Sequence, residues 1–205
     1  MPTGLSSEIA ARTMEHLELA LIAMLLAAAI AIPVGVGLTR HAGMRGPVMG
    51  LANVLQTIPS LALFGFLIPV PLIGGIGKRT AIVALVLYAL LPILRNTLVG
   101  ILGVDAAVRE SAVAMGMTGW QVLREVELPL ATRTILAGVR VATVTTIGTA
   151  TIAAAIGGGG LGVFIFRGIS TVDTNQILAG AIPAAAIALV ADEGLGWLER
   201  KLSPV

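Results

Sequence analysis

Long apolar stretches separated by short polar connections give the chain its hydropathy pattern. We place five apolar spans, at about residues 17–39, 48–70, 80–103, 132–156 and 175–196. An α-helix needs about 20 residues to cross about 30 Å of hydrocarbon, and each span is long enough. The charge-free stretch 46–77 is too short for two such helices and counts once. The pattern predicts an all-α integral membrane protein with five transmembrane helices, folded as a single transmembrane domain over residues 1–205.

Composition agrees with a membrane location and excludes several kinds of chemistry. The chain is 57% hydrophobic and 12% charged, whereas soluble domains carry about 25% charged residues. It has no cysteine, which excludes disulfides and thiolate chemistry, and its two histidines are too few for a histidine-rich metal site. A net charge of +2 without a basic stripe gives no sign of nucleic-acid binding. We therefore expect neither a bound metal nor a nucleic-acid partner.

Prolines and glycines mark the expected breaks in the helices. Residues 157–162 read Gly-Gly-Gly-Gly-Leu-Gly and predict a flexible, tight turn at the end of the fourth span. This run matches the dinucleotide-binding pattern formally, but it follows a membrane helix instead of a strand, so we interpret it as a turn. Prolines inside the spans predict kinks, because proline removes a backbone hydrogen bond. These prolines are Pro33, Pro59, Pro92 and Pro183.

Basic residues predict the orientation of the spans, because arginine and lysine concentrate in cytoplasmic connections. They favour an N-terminus outside and a C-terminus in the cytoplasm. Asp192 and Glu193 then lie toward the cytoplasmic end of the fifth span, where we expect them to anchor the helix at the interface instead of relaying protons. The basic residues on the cytoplasmic side are Arg40, Arg45, Arg109, Arg124, Arg133, Arg200 and Lys201.

The polar segment between the third and fourth spans, residues 105–130, carries the most specific pattern. Glu110 is followed by Ala112 and Gly116, and a Val-Glu-Leu-Pro sequence ends at Pro129. This spacing resembles the EAA signature of the membrane subunits of ABC importers, with Ser111 in place of its first alanine. An amphipathic helix lying on the membrane surface is the alternative, but such helices are usually rich in lysine and arginine.

The resemblance implies a type I importer permease core in which this coupling segment (residues 105–130) is gripped by a separate ATPase. We expect Glu110 at the start of a short helix, where its charge complements the helix dipole. Small Ala112 and Gly116 would give that helix a face for close docking, and Leu128-Pro129 would end a second short helix. The expected coupling residues are Glu110, Ser111, Ala112, Ala114, Met115, Gly116, Trp120, Leu128 and Pro129.

The chain offers little material for catalysis of its own. Gly77-Lys78-Arg79 lacks the Ser or Thr that a phosphate-binding loop carries after its lysine, and there is no complete Walker A sequence. Its serines have no credible histidine partner. We therefore expect no enzymatic activity and no bound cofactor here, with ATP and Mg²⁺ on the partner ATPase.

Three further stretches, residues 56–64, 88–97 and 147–157, look like those of permeases for glycine betaine, choline and carnitine. The nearest alternative is a methionine-type or other amino-acid permease. A passive channel, a secondary carrier and a purely structural membrane subunit are more distant alternatives. Threonines of the fourth span would either wet the path or hydrogen-bond between helices. The expected path and gate residues are Gln56, Pro59, Ser60, Pro92, Asn96, Thr145 and Thr149.

The resemblance also implies partners and a location. Such permeases work in pairs, identical or related, on two ATPases in a bacterial or archaeal cytoplasmic membrane, surrounded by lipid. A separate extracytoplasmic binding protein delivers the substrate. Because a quaternary ammonium is best held by an aromatic cage and this chain is 3% aromatic, we expect selectivity in that partner. Its expected docking residues here are Lys78, Arg79, Gly160, Arg167 and Asp173.

Overall fold

A computed structural model describes residues 3–71 and 73–202, and throughout these ranges the ordered elements are helices. Residues 122–127 form a π-helical turn, and residues 151–156 form a 3₁₀ segment. The predicted all-α fold is confirmed. The α-helices are α1 (Thr3–Arg40), α2 (Ala42–Thr57), α3 (Ser60–Leu67), α4 (Lys78–Leu102), α5 (Ala106–Ala114), α6 (Gly119–Gln121), α7 (Leu128–Ala150), α8 (Gly162–Thr171) and α9 (Thr174–Leu202).

Helix α4 lies at the centre of the bundle, packed between α1 and α7, and α9 packs on the other side of α7. On α1, residues spaced four apart are buried because this spacing keeps them on one face of the helix. Leu19, Ala23 and Ala27 belong to this face, and their side chains meet Ala81 and Ala84 of α4 in the main apolar cluster. Small residues on both helices allow this close approach.

The predicted span at 48–70 is divided into two helices. Helices α2 and α3 meet at an angle of 102° across Ile58 and Pro59. Ile58 is extended (φ −68°, ψ 126°), as the residue before a proline favours, and Pro59 has no N–H to continue the helix. By contrast, helices α1, α4 and α9 continue through Pro33, Pro92 and Pro183.

Among the described residues, four helices are long and apolar enough to cross a membrane, and the bent α2–α3 pair makes a fifth if it counts as one span. They occupy Gly4–Arg40, Lys78–Leu102, Gly119–Ile156 and Thr174–Leu202. The first begins well before the predicted residue 17. The third of these includes part of the coupling segment, since α6, the π-helical turn, α7 and the 3₁₀ segment follow one another as one rod.

The glycine run at 157–162 forms the predicted turn. Gly157, Gly159 and Gly160 have positive φ angles of 73°, 82° and 75°, which glycine adopts without steric cost. Helix α8 follows this glycine turn (residues 157–162), in the connection that the sequence pattern leaves between the fourth and fifth spans. With ten residues, α8 is too short to cross a membrane, and it packs on α9.

Candidate functional site

Helix α5 of the coupling segment begins at a side-chain cap. The Asp105 carboxylate accepts a hydrogen bond from the backbone N–H of Ala107 at 2.8 Å, satisfying a donor that the first turn leaves open. Glu110 lies in the middle of α5, so the prediction that it starts the helix is wrong. Asp105 provides the negative charge at the N-terminus instead.

Gly116 ends α5 and does not lie on its face, as the sequence had predicted. Its φ of +82° is left-handed, and the next residue, Met117, donates its N–H to the carbonyl of Ala112 at 3.2 Å. Glycine is favoured at this position because it reverses the chain without a side-chain clash. Thr118 and Gln121 then form a reciprocal capping box that starts α6.

The rod from α6 to α7 passes through Leu128 and Pro129 without ending, so the prediction of a second short helix closing there is wrong. Pro129 lies in the first turn of α7 and cannot donate a backbone hydrogen bond. The preceding turn is π-helical, and Leu128 donates its N–H to Leu123. A widened turn next to a proline accommodates the missing bond without breaking the helix.

The coupling segment presents apolar side chains on an otherwise polar surface. Met115 is 76% exposed and Trp120 is 67% exposed, which is unusual for side chains of this size. Ala112, by contrast, is buried within the chain, so it is not part of an exposed docking face. Glu110, Ser111, Ala114, Gly116 and Pro129 are exposed, and Leu128 is half-buried.

A buried carboxylate lies beneath this surface. Glu127, whose side chain is 2% exposed, accepts a hydrogen bond from Arg109 Nε at 2.7 Å on one oxygen. Its other oxygen accepts from Arg40 Nη2 at 2.6 Å. Arg109 also donates through Nη2 to the carbonyl of Ile101 at 2.5 Å. This carboxylate joint (Glu127, Arg40 and Arg109) connects the ends of α1 and α4 to α5 and to the base of α7.

The sequence analysis did not predict the joint, because it used Arg40 and Arg109 only to orient the spans. The four-residue spacing of buried positions along the rod could have indicated it. Leu123, Glu127 and Ala131 are spaced four residues apart, and all three are buried. A carboxylate at a core position of this period indicates a buried ionic partner.

The predicted path residues lie in separate parts of the bundle. Gln56 donates through Nε2 to the carbonyl of Tyr88 at 3.0 Å, and the Tyr88 hydroxyl donates to the carbonyl of Ile58. These bonds hold the bend at Pro59 and Ser60 against α4. Farther along α4, Asn96 donates through Nδ2 to the carbonyl of Pro92 at 2.8 Å and packs against Gly138 of α7.

Thr145 and Thr149 of α7 bond within their own helix instead of between helices. Thr145 donates to the carbonyl of Val141 at 2.8 Å, and Thr149 donates to the carbonyl of Thr145 at 2.8 Å. Such bonds satisfy the hydroxyl without any partner helix. Of the two alternatives that the sequence left open, interhelical hydrogen bonding is therefore not found for these two threonines.

A partly exposed ion pair joins α7 to α9. Arg140 donates from Nε and Nη2 to the two oxygens of Asp192, both at 2.6 Å. Glu199 lies 3.7 Å from Arg140 and 3.6 Å from Arg133. Asp192 was expected to anchor α9 at the interface, but its carboxylate pairs with Arg140 in a bidentate geometry.

The predicted docking residues lie at the opposite end of the bundle, and several have partners within the chain. Lys78 pairs with Glu18 at 2.7 Å, and Arg167 pairs with Glu8 at 3.3 Å. Arg79 is exposed, and Asp173 caps α9 by accepting the N–H of Asn175 at 2.9 Å. Gly160 is buried, which contradicts a surface role for it: its N–H donates to Glu15 at 3.0 Å.

No group of three or more histidine, cysteine, aspartate or glutamate side chains in the described ranges is arranged to hold a metal ion. The polar chemistry of the site therefore consists of ion pairs, helix caps and backbone contacts.

Comparison with known proteins identifies the class. Residues 27–204 match the family described as the binding-protein-dependent transport system inner membrane component. The chain belongs to this family of multi-pass transport subunits of the cytoplasmic membrane. Its similarity to ABC importer permeases, inferred above from the coupling segment, is confirmed.

Particular relatives refine the comparison. The chain is 47% identical over 197 residues to the glycine betaine/carnitine/choline transport system permease protein OpuCB of Bacillus subtilis (strain 168), covering 96% of this chain and 89% of the relative. It is 50% identical over 191 residues to the carnitine transport permease protein OpuCD of Listeria monocytogenes serotype 1/2a (strain 10403S), covering 93% and 84%. The expected resemblance to the osmoprotectant branch is confirmed.

A solved structure supports the fold independently. The chain matches one from the MetNI methionine ABC transporter, in an inward-facing crystal form, with a TM-score of 0.90 over 100% of both chains. The sequence identity is 22%, so this likeness bears on the fold alone.

Proposed function

We propose that this chain is the membrane permease subunit of an ATP-driven importer for osmoprotectants of the glycine betaine, choline and carnitine type. The observation that carries the proposal is the near full-length identity of 47% and 50% to permeases named for these substrates. Quaternary ammonium groups are shared by all three compounds, so the substrate class is chemically coherent. The permease forms the translocation path and alternates between outward-open and inward-open states.

The coupling segment faces the cytoplasm in this proposal, with the N-terminus outside and the C-terminus inside. Arg40 and Arg109 lie at that end, in agreement with the positive-inside rule. Arg133 near the base of α7 is close to Glu199 near the end of α9, so the C-terminal helix ends on the same side.

Two permease subunits, identical or related, assemble with two ATPases that bind ATP and Mg²⁺. Helix α5 and the turn after it enter a cleft of each ATPase. Exposed Met115 and Trp120 support this proposal, because exposed apolar side chains on a polar segment favour burial against a partner. The continuous rod from α6 into α7 then carries the movement of the ATPase into the membrane.

The extracytoplasmic binding protein docks at the end that carries the glycine turn. Lys78, Arg79, Arg167 and Asp173 are the contacts we propose there. Arg79 is exposed and can take a carboxylate of the binding protein directly. Lys78 and Arg167 are already paired with Glu18 and Glu8, so docking would exchange or extend those pairs.

Uptake of radiolabelled substrate by proteoliposomes tests the proposal. The vesicles contain the permease and its ATPase, with the binding protein outside and ATP inside. We expect accumulation of glycine betaine, choline or carnitine that requires both ATP and the binding protein. ATP-dependent accumulation of methionine with none of these three would move the chain to an amino-acid permease, and uptake driven by an ion gradient alone would indicate a secondary carrier.

A further inference from the structure

Burying the carboxylate of the joint costs free energy. A buried carboxylate loses its hydration, and apolar residues of similar size can often replace a buried ion pair without loss of stability. Glu127 nevertheless lies among buried apolar residues, with Leu123 and Ala131 one turn away on either side. The position therefore favours a role for the charge beyond packing.

The joint connects parts of the chain that are far apart in sequence. Arg40 is the last residue of α1, and 87 residues separate it from Glu127. Arg109 lies in α5, the helix that carries the exposed coupling surface, and its second bond reaches the last turn of α4. One carboxylate thus joins the exposed helix, the ends of two membrane helices and the base of a third.

We propose that Glu127 is a positioning residue that makes the cytoplasmic end of α1 move together with α5 when the ATPase moves α5. This inference rests on the proposed function, since it requires that an ATPase grips the coupling segment. Displacement of α5 carries Arg109, Arg109 holds Glu127, and Glu127 holds Arg40. The first span is then driven directly, in addition to the rod that begins at α6.

The burial of the three partners differs and guides the choice of variants. Arg40 is 44% exposed, Arg109 is 28% exposed and Glu127 is 2% exposed. Replacing Arg40 therefore frees α1 while Glu127 keeps Arg109, and no buried charge is left unpaired. Replacing Glu127 with glutamine removes the negative charge to which both arginines bind, although the glutamine oxygen still accepts one hydrogen bond.

The first test measures the glycine betaine transported per ATP hydrolysed in the reconstituted complex. We expect Glu127→Gln and Arg40→Gln to assemble with the ATPase and hydrolyse ATP, but to transport about fivefold less substrate per ATP, a change at the low end of couplings between distant sites. Glu125→Gln is the matched control, since Glu125 is exposed on the same π-helical turn. A wild-type ratio in an assembled Arg40→Gln complex would overturn the proposal, even if Glu127→Gln fails to assemble.

The second test does not depend on the substrate. Because the chain has no cysteine, His41→Cys and Ala107→Cys place one spin label just after α1 and one on α5 in each copy of this chain. With Arg40, Arg109 and Glu127 all in place, we expect the same label-to-label distance without nucleotide and with trapped ATP. With Arg40→Gln, we expect that distance to change or broaden on ATP binding.

The two tests separate the possible failures. A complex that binds its ATPase but ignores glycine betaine contradicts the proposed substrate, and the distance measurement still decides the role of the joint. A label-to-label distance that changes with nucleotide while Arg40, Arg109 and Glu127 are all in place contradicts the joint, whatever the substrate.

Discussion

Helix α1 is fastened at two places to the rod of α6, α7 and the 3₁₀ segment and to the glycine turn after it, and the two fastenings use different chemistry. At the coupling end, Arg40 pairs with the buried carboxylate of Glu127. Toward the N-terminus of α1, Glu15 accepts the N–H of Gly160 in the glycine turn, and His16 donates through Nε2 to the carbonyl of Ile147 in α7 at 3.0 Å. The first depends on charge, and the second depends on the shape of the backbone.

The shape requirement is visible in the glycine turn. A β-carbon on Gly159 would lie 2.6 Å from a carboxylate oxygen of Glu15, and one on Gly160 would lie 3.1 Å from Nδ1 of His16. The turn can therefore approach α1 only without side chains. An ion pair can be broken and remade during a cycle of movement, whereas a backbone fit of this kind favours a fixed attachment. If the carboxylate joint moves α1 as proposed, we expect the contacts at the glycine turn to stay in place.

The largest effect should come from filling the space behind the glycine turn. A β-carbon on Gly162 would lie 1.8 Å from the carbonyl oxygen of Thr151, so Gly162→Ala forces the backbone apart. We expect a loss of stability on the order of 3 kcal/mol, seen as a lower midpoint of thermal unfolding in detergent. Gly148→Ala is the control, because nothing lies within 4 Å of its added carbon. Equal midpoints for the two variants would contradict the close packing of the glycine turn against the 3₁₀ segment.

An intermediate effect should come from neutralising the carboxylate joint. Glu127→Gln removes the charge that two guanidinium groups share, and hydrogen bonds to charged groups contribute about 1.5–3 kcal/mol. We expect a stability loss of about 2 kcal/mol by the same unfolding measurement. Exposed Glu125→Gln should change stability by less than about 0.5 kcal/mol. A tolerated Glu127→Gln would mean that the charge is not what holds this end.

The smallest effect should come from the matched neutralisation at the other end. The Glu15 side chain is 31% exposed, and it accepts a hydrogen bond from the backbone N–H of Gly160. A glutamine oxygen can accept the same hydrogen bond. The lost ion pair with Arg12 is of the partly exposed kind that contributes less than about 1 kcal/mol. We expect Glu15→Gln to stay within that limit. A loss as large as that of Glu127→Gln would remove the contrast between the two ends.

The sequence predicts the helices well where a long apolar run determines them. It predicts them less well where contacts with neighbouring helices determine the structure. Proline occurs within membrane helices and also ends them, and nothing local distinguishes Pro59 from Pro92. In the structure, the Tyr88 hydroxyl holds the bend by donating a hydrogen bond to the carbonyl of Ile58. Helix α8 was missed because a helix of ten residues is far below the length of a span.

The candidate site shows the same division. The spacing of the coupling segment pointed to the family that residues 27–204 match. The motif does not reveal which residue caps α5 or that Gly116 lies in a turn. Arg140 and Asp192 are 52 residues apart, and the partners in the carboxylate joint are 18 and 87 residues apart. Pairs at such separations follow from the packing of helices, which the order of hydrophobic and polar residues does not specify.

The most direct test of the account is ATP hydrolysis by the complex in liposomes, with and without glycine betaine-loaded binding protein. We expect the loaded binding protein to stimulate hydrolysis in the wild type and in Gly116→Asn, because asparagine tolerates the left-handed conformation. Gly116→Asp has a similar shape but adds a charge at the docking surface, and it should lose the stimulation. A complex in which Gly116→Asp is stimulated like the wild type, or a chain that assembles with no ATPase, would contradict the role of the coupling segment.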